Sequence, residues 1–129
     1  MQPLELFKSI GRSCLYAWRG VDFAFRTQRN FRIHLLAAGA VWVLALALRF
    51  SRIELVLLAL TVGLVITAEL LNTGMEFVLN LLESRNHPVV RAAKDVAAGG
   101  VLLAVFISVG VGILLFGPKL KLCLPHCLP

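Results

Sequence analysis

The residues best suited to chemistry are two carboxylates and an amide set into an apolar run, Ala68-Glu69-Leu70-Leu71-Asn72-Thr73-Gly74-Met75-Glu76. Inside hydrocarbon, an ionisable group costs at least a few kcal/mol unless it faces protein or water, so each such residue marks a functional site by default. On a helix of 3.6 residues per turn, Glu69, Asn72, Thr73, Glu76, Asn80 and Glu83 project within roughly 100° of one another, while Leu70, Leu71, Val78 and Leu82 point elsewhere. The stripe is expected to face other helices. At about 1.5 Å per residue, Glu76 lies roughly 10 Å along the axis from Glu69. One carboxylate then sits near water, where it can meet a metal, and the other sits deeper, near lipid.

Further along, Lys94 and Asp95 precede the small-residue run Ala97-Ala98-Gly99-Gly100 at the same depth as Glu76. Phosphoryl transfer needs cations to hold nucleotide phosphates, carboxylates to hold magnesium across them, and a base or orienting group for the attacking hydroxyl. Lys94, Glu76 and Glu69 have the chemistry for those three roles. A plainer reading stands beside it. Polar groups in a helix bundle also serve as hydrogen-bonding glue, Lys94 suits a charged flank, and Asp95 suits a helix amino terminus. The chain has no Walker motif, kinase glycine loop or HRD-like segment, which excludes the soluble-kinase folds.

The elements that position these residues follow from composition. In 129 residues, 59% are hydrophobic, more apolar surface than so small a core can hide from water. Three stretches approach the roughly 20 apolar residues that a bilayer demands, predicting spans over about 33–50, 53–82 and 95–116. Ahead of them, residues 4–28 are predicted to form an amphipathic surface helix. Phe7, Ile10, Cys14, Trp18, Val21 and Phe25 share one arc of it, with Lys8, Arg12, Arg19 and Arg26 opposite. The expected fold is an all-α membrane protein with short hairpins at Arg49-Phe50-Ser51-Arg52 and Ser84-Arg85-Asn86-His87-Pro88. Small residues, including Ala37, Ala40, Gly63, Ala97, Ala98, Gly99 and Gly100, are expected to let the spans pack closely.

Basic residues orient the spans. Those before the first span and in the second connection (Arg85, Arg91, Lys94) outnumber Arg49, Arg52, Lys119 and Lys121 on the other side, which predicts a cytoplasmic amino terminus and an external carboxyl terminus. The charges through residues 1–32 argue against a cleaved signal peptide. The net charge of +6 flanks hydrophobic spans, a placement that fits anionic headgroups and not nucleic acid. Cys14, Cys123 and Cys127 match neither a disulfide framework nor a zinc module.

The set Glu69-Leu70-Leu71-Asn72-Thr73-Gly74-Met75-Glu76, then His87, then Ala93-Lys94-Asp95-Val96-Ala97-Ala98-Gly99 resembles the signature of the prokaryotic diacylglycerol kinase family, which includes undecaprenol kinases. The resemblance covers about residues 7–116 and implies a homotrimer in a bacterial-type inner or plasma membrane, with active sites between subunits. It implies ATP- and magnesium-dependent phosphorylation of diacylglycerol to phosphatidic acid, or of undecaprenol to undecaprenyl phosphate, at the cytoplasmic face. By the same resemblance Glu69 is the catalytic base, with Asn72 at the transfer site, and Glu76 holds the metal. Lys94 and Asp95 line the ATP site with Tyr16 and His87, while Arg12, Trp18, Glu69 and Ala98 contact lipid.

One departure stands out: similar proteins carry a second metal-binding glutamate where this chain has Gln28. Glutamine offers an oxygen without charge, so weaker magnesium binding is expected. The Asn30-Phe31-Arg32-Ile33-His34 segment looks more like the undecaprenol kinase branch, with His34 read equally as a helix-start interfacial residue or a ligand. A single kinase domain over 1–118 is expected, leaving 119–129 as an unassigned, disordered extension. A second function class, a small channel or transport subunit lined by the polar stripe, accounts for Glu69 and Glu76 but not for Lys94-Asp95.

Overall fold

A computed structural model describes residues 3–82 and 87–123. They form four helices: α1 (Pro3–Thr27), α2 (Arg29–Ala47), α3 (Arg52–Leu82) and α4 (Pro88–Cys123). Glu83, the last member of the stripe, lies outside the described residues, as do Ser84-Arg85-Asn86 of the second hairpin and the segment 124–129 with Cys127.

Proline opens two of these helices. Pro3 and Pro88 are first helical residues, where a missing N–H removes no internal bond and the fixed φ is already helical. Between α1 and α2 the chain departs from helix at Gln28, extended at φ −103° and ψ 116°. The break is narrow, because Gln28 still donates to the Ala24 carbonyl at 2.8 Å and accepts from Arg32 at 3.4 Å. Ala24 and Phe31, on either side of it, are buried. Phe23 of α1 meets Phe77 of α3 with ring centroids 5.3 Å apart, which seats the amino-terminal helix beside the polar stripe.

The first hairpin is specified by local hydrogen bonds. Arg49 takes a left-handed φ of 52°, allowing Phe50 to donate to the Ala45 carbonyl and Arg49 to the Leu46 carbonyl, both at 3.1 Å. That pairing is a Schellman motif, and its hydrophobic contact is present because Phe50 and Ala45 share one buried cluster with Leu58 and Phe116. A capping box follows at once: Ser51 N–H donates to the Glu54 carboxylate at 2.6 Å while Glu54 N–H donates to Ser51 Oγ at 3.4 Å. A stop signal and a start signal are thus fused within six residues.

Three helices, Arg29–Ala47, Arg52–Leu81 and Pro88–Lys121, are long and apolar enough to cross a membrane. Large apolar side chains such as Leu36, Leu81, Val96 and Leu114 are exposed along them, as lipid contact requires and water does not tolerate. The chain is a multi-pass membrane protein. The third of these helices is longer than the expected 95–116: it begins at Pro88 and continues through Pro118 to Cys123. Residues 119–123 are therefore helical and not part of a disordered extension. Pro118 costs one backbone bond to the preceding turn. Lys119 anchors the end of the helix, 3.4 Å from the Glu54 carboxylate and 5.7 Å above the Phe50 ring.

α3 packs most extensively on α4 and next on α2, with α1 touching both α2 and α3. The expectation that Gly63, Gly99 and Gly100 bring helices of one chain together is not met. A Cβ built on any of them meets nothing within 4 Å, and all three are exposed. Their lack of side chain serves no packing inside the chain.

Candidate active site

The polar stripe does turn inward. Glu69, Asn72 and Thr73 are 3%, 9% and 6% exposed, the described polar side chains most withdrawn from the surface. They are buried because α2 and α4 flank the same face of α3. Glu76 is half-buried one turn beyond Asn72, and Asn80 is exposed a turn further on, so burial fades along the stripe toward the end of α3.

At the deep end a cavity of about 330 Å³ opens between three helices. Asn30 and His34 of α2 and Glu69 and Asn72 of α3 form its polar wall, and α4 supplies Ala98 with the apolar Val101, Leu102 and Val105. The Asn72 Oδ1 atom is buried without a hydrogen-bond partner. An unpaired buried acceptor costs about 1–3 kcal/mol, so it calls for an explanation beyond stability. An apolar groove of about 240 Å³ shares His34 and Val105 with this cavity and continues past Ala38, Val41, Val62 and Gly112. A hydroxyl-bearing head and a hydrocarbon tail would find matching surroundings in that order.

At the shallow end Lys94 crosses from α4 to α3, its ammonium donating to Asn80 Oδ1 at 2.6 Å. Asp95, beside it, is exposed. Glu76 carries no ion pair among the described residues. Gln28 is half-buried and makes no capping bond to its own helix, which leaves its amide oxygen available. Among the described residues no group of three or more His, Cys, Asp or Glu converges as a ready-made metal cage. Magnesium held by one carboxylate together with nucleotide phosphates needs no such cage, so Glu76 with the neutral oxygen of Gln28 fits that donor pattern.

Of the residues singled out in the sequence, the structure brings Glu69, Asn72 and Ala98 to one cavity. Tyr16 and Trp18 stand 63% and 71% exposed on α1, and Arg19 lies 5.9 Å over the Tyr16 ring. Arg12 donates to the Lys8 carbonyl at 3.4 Å and lines a shallow hollow on α1 with Lys8. His87 is exposed ahead of α4, its carbonyl accepting from Arg91 at 3.1 Å. None of Arg12, Tyr16, Trp18 and His87 lines the cavity with Glu69. Asn30 and His34 gained no definite role from the sequence, yet both face Glu69 and Asn72. Their signal was an i, i+4 polar pair at the start of an otherwise apolar span.

The amino-acid sequence that builds this three-span protein has counterparts among known proteins. The family model for prokaryotic diacylglycerol kinase matches residues 15–116. The chain belongs to that family. It is 40% identical over 109 residues to an undecaprenol kinase of Bacillus subtilis, covering 84% of this chain and 89% of the relative. It is 49% identical over 109 residues to a diacylglycerol kinase of Synechocystis, covering 83% of this chain and 62% of that longer protein. A diacylglycerol kinase of Escherichia coli K12 is 32% identical over 103 residues, covering 80% of this chain and 84% of the relative. As a member of this family the chain is a lipid kinase and ATP is its co-substrate. The channel reading is not favoured.

Proposed function

We propose that this protein transfers the γ-phosphoryl group of ATP to the hydroxyl of a membrane lipid alcohol, diacylglycerol or undecaprenol, at the cytoplasmic face of the inner or plasma membrane. The observation that carries the reading is the buried pair Glu69 and Asn72 in a cavity continuous with an apolar groove. The lipid hydroxyl enters beside Glu69, whose carboxylate takes its proton as the oxygen attacks the γ-phosphorus. The bond from that phosphorus to the β,γ-bridging oxygen breaks in line, and ADP leaves. Asn72 orients the reacting groups through its unpaired Oδ1. Lys94 neutralises phosphate charge, with Asp95, Tyr16 and His87 as further nucleotide contacts. Arg12, Trp18 and Ala98 contact the lipid. Magnesium, held by Glu76 with Gln28 in support, supplies charge neutralisation on the phosphates.

The kinase domain covers residues 1–118. α1 lies in the cytoplasmic headgroup layer with its arginines toward phosphates, the amino terminus is cytoplasmic, and the carboxyl terminus is external. The working unit is a homotrimer. Tyr16, Trp18 and Arg12 fall outside the cavity of their own chain, and the outward-facing Gly63, Gly99 and Gly100 leave room for a neighbouring helix to approach; both observations support sites completed between subunits. The test offers purified protein in mixed micelles γ-labelled ATP, magnesium, and diacylglycerol or undecaprenol. Label in either lipid supports the reading and names the substrate; label in neither, from folded protein, overturns it.

A further inference from the structure

We infer that Asn80 is a positioning residue for ATP, acting through Lys94. The inference rests on the kinase reading above. Lys94 sits in the second turn of α4, half-buried, on a side chain with four freely rotating carbons. A lysine in that setting spreads its charge over a wide arc unless something holds it. The holder is Asn80, whose Oδ1 accepts from the ammonium at 2.6 Å, joining α3 to α4 near the ends that flank the second connection.

The register of α3 gives the bond its consequence. Asn80 is four residues beyond Glu76, one turn along the same stripe. Fixing the ammonium at Asn80 therefore places the positive charge one turn from the carboxylate assigned to magnesium, beside it and not upon it. The holder is an amide, so the lysine is fixed without its charge being cancelled, and Lys94 makes no salt bridge among the described residues. Asn80 is itself exposed and supports no core packing, which leaves the tether as its use.

The test measures lipid phosphorylation kinetics, and in parallel the affinity for magnesium with the non-hydrolysable ATP analogue AMP-PNP, for wild type, Asn80→Leu, Asn80→Asp and Lys94→Met. Leucine keeps the volume and removes the acceptor. A hydrogen bond to a charged group at an exposed site is expected to be worth about three- to tenfold in affinity. Asn80→Leu should raise the KM for ATP by that factor, leave the KM for lipid unchanged, weaken the analogue to the same extent, and keep the wild-type unfolding midpoint. Asn80→Asp restores an acceptor and should recover part of the loss. Adding Asn80→Leu to Lys94→Met should change analogue affinity no further, because the tether has nothing left to hold. Equal ATP and lipid constants in Asn80→Leu, or a full further loss in the double variant, would overturn the inference while the kinase reading stands. If wild-type protein binds the analogue but phosphorylates no lipid, the kinase reading fails, and the analogue affinities decide the role of Asn80 by themselves. If it binds no analogue, both fall.

Discussion

Replacing Glu69 with glutamine changes charge and leaves shape almost untouched, which makes it a sharp probe of the proposed mechanism. The side chain is 3% exposed in a cavity between three helices, so its volume matters to packing, and Gln preserves that volume. Removing a general base is expected to slow transfer by about 10²–10⁴-fold. That corresponds to roughly 3–5 kcal/mol on the barrier. Folding should respond with the opposite sign. A buried carboxylate at membrane depth is costly, and the neutral amide avoids that cost, so Glu69→Gln should match or exceed wild type in stability by about 1 kcal/mol. The assay pairs phosphorylation rates at saturating ATP and lipid with unfolding in a titrated denaturing detergent and with AMP-PNP affinity. Lost turnover, retained nucleotide binding and undiminished stability form the expected pattern. Turnover above a tenth of wild type would remove Glu69 from the role of base. A parallel loss of turnover and stability would make it a structural residue.

Asn72→Leu removes the unpaired buried Oδ1 at nearly constant volume; stability should rise by about 1 kcal/mol while turnover falls at least tenfold, read by the same two assays. If Gln28 supports the magnesium proposed for Glu76, Gln28→Glu supplies the missing charge, and a magnesium titration of initial rates should show half-saturation at several-fold lower concentration. Phe50→Ala empties the contact with Phe116, whose ring centroid is 4.6 Å away, at the far end of α3 from Lys94. Detergent unfolding should show a loss of about 2–3 kcal/mol, with the KM for ATP within twofold of wild type.

Much of the architecture was legible because lipid imposes a simple rule. Spans must be apolar for about 20 residues, and polar residues within them must face inward. Glu69 and Asn72 obeyed that rule, and their shared face followed from helical periodicity. The Ser51-to-Glu54 spacing of the capping box is a helix-start signal that the sequence reading missed. The end of α4 was not legible, since Pro118 reads as a terminator; Lys119 carries the helix past it by reaching Glu54 and Phe50, residues about 65 positions earlier. Nor could spacing show that Gly63, Gly99 and Gly100 face away from their own chain. A glycine pattern records which helix face is smooth and not what lies against it.

The amino-acid sequence by itself determined the number of spans and the inward turn of Glu69, Asn72 and Thr73, because hydropathy and helical period act within a single segment. The tertiary structure alone decided that Asn30 and His34 share a cavity with Glu69, and that Lys94 is held by Asn80. Those are contacts between separate helices, and their register is set by packing, which no local pattern encodes.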